Sequence, residues 1–495
     1  MTTPPTTKLN LDNIQGDILS GIPKKTELYY FFQILDTKKF RVQLGKLAPI
    51  IKTAAQVLHD RKCIEDHKKR GGHGLIQIVG VNVSFSHLGF QKLGINDSTL
   101  FGGNTNDPFS VGQLNDAVRN LGDPTKETPN GVVPDWEKEF LQPIHGLILI
   151  AGESHATTDK KLKEVEAIFG VGSKTPSVKK VKLIRGDVRP GKEHAHEHFG
   201  FLDGVSNPSV IGFDPILPGP AQVRPGILLT GQDGDPIQNR EPWAVDGSFQ
   251  VFRYLFQEVP EFHKYLRDNP LKFEDLTPEE GSELLGARMV GRWRSGAPID
   301  VTPFKDDPKL AKDPQRNNDF KFKDQLNSQQ RCPFAAHVRK TMPRDDLESL
   351  GISVESRRIA RRGIQFGPEV TPSEKQEDKT QKERGLLFVC YQSSISNGFQ
   401  FMQQSWANNA NFPFGEQQPE VPGLDPLIGR GTPRKMSGLD PNDATRELTF
   451  PDFIIPRGGE YFFTPSIKAL KETLSEKPPR SAEAGNEAEV EAEAE

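Results

Sequence analysis

Only three cysteines, Cys63, Cys332 and Cys390, occur in 495 residues. Their wide spacing excludes a disulfide framework and a CxxC metal site. Long apolar runs are missing too: no segment approaches the roughly 20 residues that a membrane helix needs. The opening stretch MTTPPTTKLNLDNIQGDIL has no basic region followed by an apolar run, so no secretory signal is expected, and action inside or outside the cell stays open. Without such a signal the sequons Asn82-Val-Ser84 and Asn96-Asp-Ser98 carry little weight. Excess charge of one sign is also lacking. Lys and Arg total 63 against 67 Asp and Glu, a net charge of −4, which offers no footprint for nucleic acid or an anionic membrane. What is present is a chain 35% hydrophobic and 26% charged, long enough to bury a large core in two domains or one very large one.

The patterning along the chain suggests two similar halves. In the first, ELYYFFQIL (residues 27–35), GLIQIVGVNVSFS (74–86) and HGLILIAGES (145–154) have the aromatic and β-branched content of buried strands, and KLKEVEAIFG (161–170) has helical spacing ending on glycine. In the second, GSFQVFRYLFQEVPEFHKYL (247–266) passes from strand to amphipathic helix, and ERGLLFVCYQSSISNGFQFMQQSWANN (383–409) runs strand, turn, helix. This mixture predicts an α+β fold, each unit an antiparallel sheet with peripheral helices. The border is expected near 175–190 and is drawn at 180. The second unit then spans 181–473, and an acidic tail without aromatics, expected to be disordered, spans 474–495. The polar, Pro-punctuated stretch 301–330 reads as a long ordered loop.

Three segments carry candidate chemistry. In HEHFGFLDGVSNP, Asp203 stands between apolar residues and the glycines Gly200 and Gly204. Glycine permits a sharp bend and close approach of a flat partner. A desolvated carboxyl there would be raised in pKa and useful as a proton carrier, and a simple turn with Asp203 as a cap explains the same residues. In RCPFAAHVRKTMPR, Pro333 suits the first turn of a helix, and Ala335 and Ala336 leave His337 open to a metal in a flat cofactor. A helix-start histidine bound to backbone is the alternative. In SRRIARRGIQFGPEV, one of Arg357, Arg358, Arg361 and Arg362 could supply a fixed cation, the others forming a solvated face. His194, His196 and His198 alternate, but no fourth ligand stands nearby for zinc.

HFGFLDGVSNP, CPFAAHVRKT, RRGIQFGPE and RGLLFVCYQ follow one another at separations that resemble the dye-decolorizing (DyP-type) haem peroxidases, the fungal branch in particular. NIQGDILSGIPKKTELYYFF is similar as well, so the resemblance covers about residues 9–470. It implies two ferredoxin-like domains with haem b, one per chain, in the second. His337 would be the proximal iron ligand and Asp203 the distal acid–base. Arg361 would be the distal arginine, with Arg362 the alternative by one step of register. Leu386 and Phe388, two apart on a strand, would wall the distal pocket. Arg339 is implied as a haem-propionate partner, and Gly204 and His198 as haem-facing residues. Asp425, with Glu420 second, is the candidate to hold the other nitrogen of His337.

The implied activity is the oxidation of dyes, phenols and possibly Mn2+ by hydrogen peroxide, the cluster Asp345, Asp346 and Glu348 being one place for Mn2+. Bulky substrates would be oxidised through a surface relay, for which Trp406 is the candidate. Phe366 stands where some members have a tyrosine, so no tyrosyl site is transferred to it. A haem-binding protein that stores, delivers or senses haem is the alternative class, for which His337 alone would suffice. A monomer or homodimer is expected, with no nucleic-acid or membrane partner.

Overall fold

Alternation in the long apolar strands builds the architecture. In the computed structural model, which describes residues 8–129, 131–202, 204–219, 222–413 and 421–476, nine strands form one sheet. They are β1 Thr26–Ile34, β2 Val79–Phe85, β3 Gly146–Gly152, β4 Val178–Asp187, β5 Ser248–Gln257, β6 Ala360–Arg361, β7 Ile364–Phe366, β8 Gly385–Gln392 and β9 Ile454–Thr464. The first four run in the order β2-β3-β1-β4 and are all antiparallel. The other five run β6/β7-β8-β5-β9, again antiparallel. Each half is a ferredoxin-like unit in which the first strand lies between the third and the fourth. The halves join edge to edge where Phe463 of β9 pairs with Phe85 of β2. At the other end β4 packs on β7 so closely that a Cβ on Gly186 would lie 2.3 Å from Ile364 Cγ2. The sheet is thereby rolled into an α+β barrel.

Side chains sort by parity. Tyr29, Phe31, Leu147, Leu149, Phe252, Leu387, Val389 and Phe462 fill the barrel interior. Their neighbours Leu28, Tyr30 and Phe32 face outward against helices α1 Thr37–Leu47 and α3 His155–Ile168, while α2 Ala54–Lys69 follows α1 in the chain. On the second half, Leu255 and Ile454 face α4 Val259–Asp268 and α5 Pro278–Val290. That outer face of the second half carries the functional cleft.

The structure corrects three boundaries. A domain border at 180 would cut through β4, whose residues pair with β1 from Val178 to Asp187, so the N-terminal unit extends through Asp187. Residues 74–78 are not strand; Leu75 is exposed. A tail starting at 474 begins too early, because Leu474 is fully buried and Glu476 pairs with Arg41 at 2.9 Å; residues 477–495 lie outside the described residues. Stretch 301–330 is an ordered loop, as expected, anchored by Asn318, whose Oδ1 accepts from Arg292 and Arg344. Asn82 is buried inside β2, which removes its sequon from the surface. No described helix is long and apolar enough to cross a membrane.

Candidate active site

A cleft lies between the outer sheet face of the second half and a layer of helices and loops. It encloses about 1550 Å³ of space between atoms, its open mouth included. The sheet contributes Leu255 and Gln257 from β5, Leu386 and Phe388 from β8, Arg361 from β6 and Ile454 from β9. Register explains the grouping: Leu386 is the Cα partner of Leu255, and period-two alternation turns Leu387 and Val389 into the barrel while Leu386 and Phe388 face the cleft. Arg361 and Arg362 diverge for the same reason. Arg361 lines the cleft, its backbone N–H donating to Asn207 Oδ1 (2.9 Å) and its Nη2 to the Ser206 carbonyl (3.2 Å). Arg362 points the other way, donating to the carbonyls of Asp17, Ile18 and Leu19 in the N-terminal segment. Arg362, the alternative by one step of register, therefore does not line the cleft.

The helical layer contributes His337 and Val338 from α6 His337–Thr341. This helix starts at His337 itself with Ala336 as its cap, so Pro333 precedes it rather than opening it. His337 Nδ1 lies 2.8 Å from Asp425 Oδ2. Asp425 is completely buried. Burial pushes its carboxyl up, but the charge and hydrogen bond of His337, with the N–H groups of Leu427 and Ile428, outweigh that and hold it below the usual range. An ionised carboxylate only accepts, so Nδ1 carries the hydrogen of this bond and Nε2 is the ring nitrogen left for an iron. Glu420, the second candidate for this partner, lies outside the described residues.

Asp203 also lies outside the described residues; its sequence neighbours Leu202 and Gly204 both line the cleft. Gly200 and Gly204 have φ of +95° and +76°, conformations that favour glycine. Two residues expected at the cofactor are elsewhere. Arg339 does not line the cleft: it is fully buried and gripped by Asp346, Nε–Oδ2 2.7 Å and Nη2–Oδ1 2.6 Å. That pairing also takes Asp346 away from any Mn2+ cluster. His198 is buried outside the cleft with Nε2 2.9 Å from the Phe366 carbonyl, and burial, then Arg189, pushes its ring down to about 4. Trp406 is not a surface residue. It is 4% exposed, stacks on Phe412 at 5.2 Å and meets Phe401 edge-on at 5.5 Å. It nevertheless sits one turn from the cleft, since Met402 and Gln403 of the same short helix are lining residues. Among the described residues, no group of three or more His, Cys, Asp or Glu could hold a metal ion.

The composition of the cleft fits an iron macrocycle with acidic substituents. Val290, Val338, Leu427 and Ile428 give flat apolar walls. Arg292, Arg344 and Arg358 are buried lining residues, and none has an ion pair among the described residues. Nε of Arg344 and Nε of Arg358 have no hydrogen-bond partner. Burial, with like charges Arg292 and Arg358 adding to it, pushes Arg344 down to about 9, and burial pushes Arg358 to about 10. Buried cations without a carboxylate partner are costly, and the two propionates of a haem would supply such anions. Sequence gave no sign of Arg344, which is a strained residue at φ +49°, and hid Arg358 in a run that resembles a solvated basic face.

A ferredoxin-like barrel whose cleft sets a carboxylate-held histidine among buried arginines has the make-up expected of a haem peroxidase with an α+β barrel. Residues 13–190 match the model "DyP dimeric alpha+beta barrel domain" and residues 288–412 match "Dyp-type peroxidase, C-terminal". The chain is 43% identical to a dye-decolorizing peroxidase of Mycetinis scorodonius, with 94% of this chain and 88% of that protein aligned. It is 42% identical to one from Auricularia auricula-judae, over 95% and 88%. An ancestral D-type dye-decolorizing peroxidase superposes with a TM-score of 0.89 at 58% identity, covering 95% of this chain and all of the other. A dye-decolorizing peroxidase solved with 2,6-dimethoxyphenol gives 0.82 at 45% identity, over 94% and 99%. The chain belongs to the dye-decolorizing peroxidase family and is a peroxidase.

Proposed function

We propose that the cleft carries out peroxide heterolysis with Asp203 as the proton carrier and Arg361 as the charge stabiliser, on one haem b held by His337. The observation that carries this reading is the convergence on one cleft of His337, locked by Asp425, with Arg361, Leu386, Phe388 and the residues flanking Asp203. When bound, haem supplies the iron that accepts peroxide oxygen and the two oxidising equivalents used on substrates. Asp203 moves a proton from one oxygen of hydrogen peroxide to the other, so that the departing oxygen leaves as water. Arg361 meets the negative charge that develops on that oxygen. Asp425 orients His337 and raises its donor strength. Leu386 and Phe388 narrow the space to a molecule the size of peroxide. That His337 is the one histidine among the described lining residues supports one haem per chain.

Dyes and phenols too large for the cleft give up electrons through Trp406, which links Met402 at the cleft to the Phe412 stack. The phenol complex of the related enzyme supports phenols as reductants here. Mn2+ would have Asp345 and Glu348 without Asp346. Stopped-flow mixing of the holoenzyme with peroxide tests the reading: Asp203→Asn and Arg361→Leu should each slow the first oxidation about 10²–10³-fold, with haem content unchanged. Rates equal to wild type would overturn it. Trp406→Phe should lower turnover of a bulky dye at least about tenfold while sparing a small phenol, and a parallel assay with Mn2+ decides that substrate.

A further inference from the structure

Glu197 lines the cleft three residues before Gly200, and its hydrogen bonds define the turn that leads to Asp203. Its Oε2 accepts from the Phe199 N–H (2.8 Å) and its Oε1 from the Phe201 N–H (2.8 Å). The Gln257 carboxamide, reaching from β5, donates to Oε2 at 2.6 Å. The backbone of Glu197 closes the same turn: its N–H donates to the Phe201 carbonyl (3.0 Å), and its carbonyl accepts from the Gly200 N–H (2.9 Å) and from Arg189 Nη1 (2.7 Å). Arg294 braces the outer side, donating from Nη1 to the Phe199 carbonyl (2.6 Å) and accepting the Leu202 N–H on its own carbonyl (3.2 Å). Gly200 is where the chain bends, at φ +95°, and a Cβ there would lie 2.3 Å from Arg294 Nη1.

Among the described residues, three donors therefore converge on the two oxygens of one side chain. Only a carboxylate accepts at both oxygens; a carboxamide would turn an N–H2 group toward one of those N–H donors. We infer that Glu197 is the positioning residue for Asp203: it locks the turn 197–201 and ties it to the sheet through Gln257, and so sets where Leu202 and Gly204, the sequence neighbours of Asp203, line the cleft. The inference rests on Asp203 being the proton carrier.

The test uses the full-length holoenzyme and cyanide association with the ferric protein, which needs a distal group to take the proton of HCN and involves no turnover. Asp203→Asn should slow both cyanide and peroxide association by at least tenfold. Glu197→Gln should do the same, with an unchanged Soret band per chain, and the double variant should be no slower than Asp203→Asn alone, since a residue that acts only through Asp203 has nothing left to position. Additive losses in the double variant, or wild-type cyanide and peroxide rates in Glu197→Gln, would overturn the inference. If Glu197→Gln loses haem or fails to fold, Gln257→Leu, which removes the donor on the sheet and spares the turn, should slow cyanide at least threefold; no change would equally overturn it. Wild-type rates in Asp203→Asn would instead sink the role of Asp203 itself.

Discussion

At the scale of single residues, the behaviour of the cleft is set by which charges have partners. Asp425 is ionised in full burial because His337 and two N–H groups converge on it, whereas Arg344 and Arg358 retain buried nitrogens without acceptors. Replacing Asp425 by Asn keeps the shape and removes the charge. The expected result is retained haem, a raised ferric–ferrous potential and a 10–100-fold slower reaction with peroxide, the order seen when the outer partner of a metal-bound histidine is lost. The stability effect has a definite sign. A carboxyl held below its unfolded value contributes stability that is present above about pH 4 and lost as pH falls through the folded value. Urea unfolding should show Asp425→Asn weaker than wild type by about 1–3 kcal/mol at pH 7, with the gap closing below pH 4. A gap independent of pH would mean that the pair is not ionic.

At the scale of elements, the strands and their faces were legible from sequence, because alternation and β-branched content are local properties. The segments around β1, β3, β5 and β8 lie where patterning places them. The pairing of His337 with Asp425 was not legible from pattern, since 88 residues separate them and a carboxylate in PGLDPLIGR resembles any loop acid. Nor could alternation say which of Arg361 and Arg362 enters the cleft. It requires only that they diverge; the choice is made by docking β6 and β7 on β8. Gly363 between them is the critical position, because a Cβ there would lie 2.6 Å from the Leu387 carbonyl oxygen. Gly363→Ala should therefore push this segment off β8, costing about 1–3 kcal/mol as overpacking does. It should also slow peroxide association at least tenfold by displacing Arg361. Thermal unfolding and stopped flow measure the two together; lost stability with unchanged peroxide kinetics would show that Arg361 does not depend on this docking.

At the scale of the whole molecule, buried titratable groups of opposite preference shape the response to pH. Burial, with Arg189 nearby, pushes His198 down to about 4, and burial with Arg294 does the same to His263. Between pH 4 and 6.5 the unfolded chain binds protons that these rings refuse in the fold, so acidification lowers stability there. Glu460 on β9 behaves inversely. Burial pushes it up to about 7 against the opposing N–H groups of Tyr461 and Gln113. From about pH 4.5 to 7 the folded chain keeps a proton that the unfolded chain releases, so stability falls as pH rises. The two slopes oppose each other from about pH 4.5 to 6.5, which flattens the stability curve over the acidic range where a carboxylate such as Asp203 would shuttle protons. Glu460→Gln removes one slope and leaves the other. In urea unfolding the variant should gain about 3 kcal/mol more over wild type at pH 8 than at pH 4, the equivalent of a shift from about 4.5 to 7. It should also lose stability more steeply than wild type on acidification from pH 6.5 to 4.5. Equal differences at pH 4, 6.5 and 8 would show that Glu460 titrates in the fold as an ordinary carboxyl does.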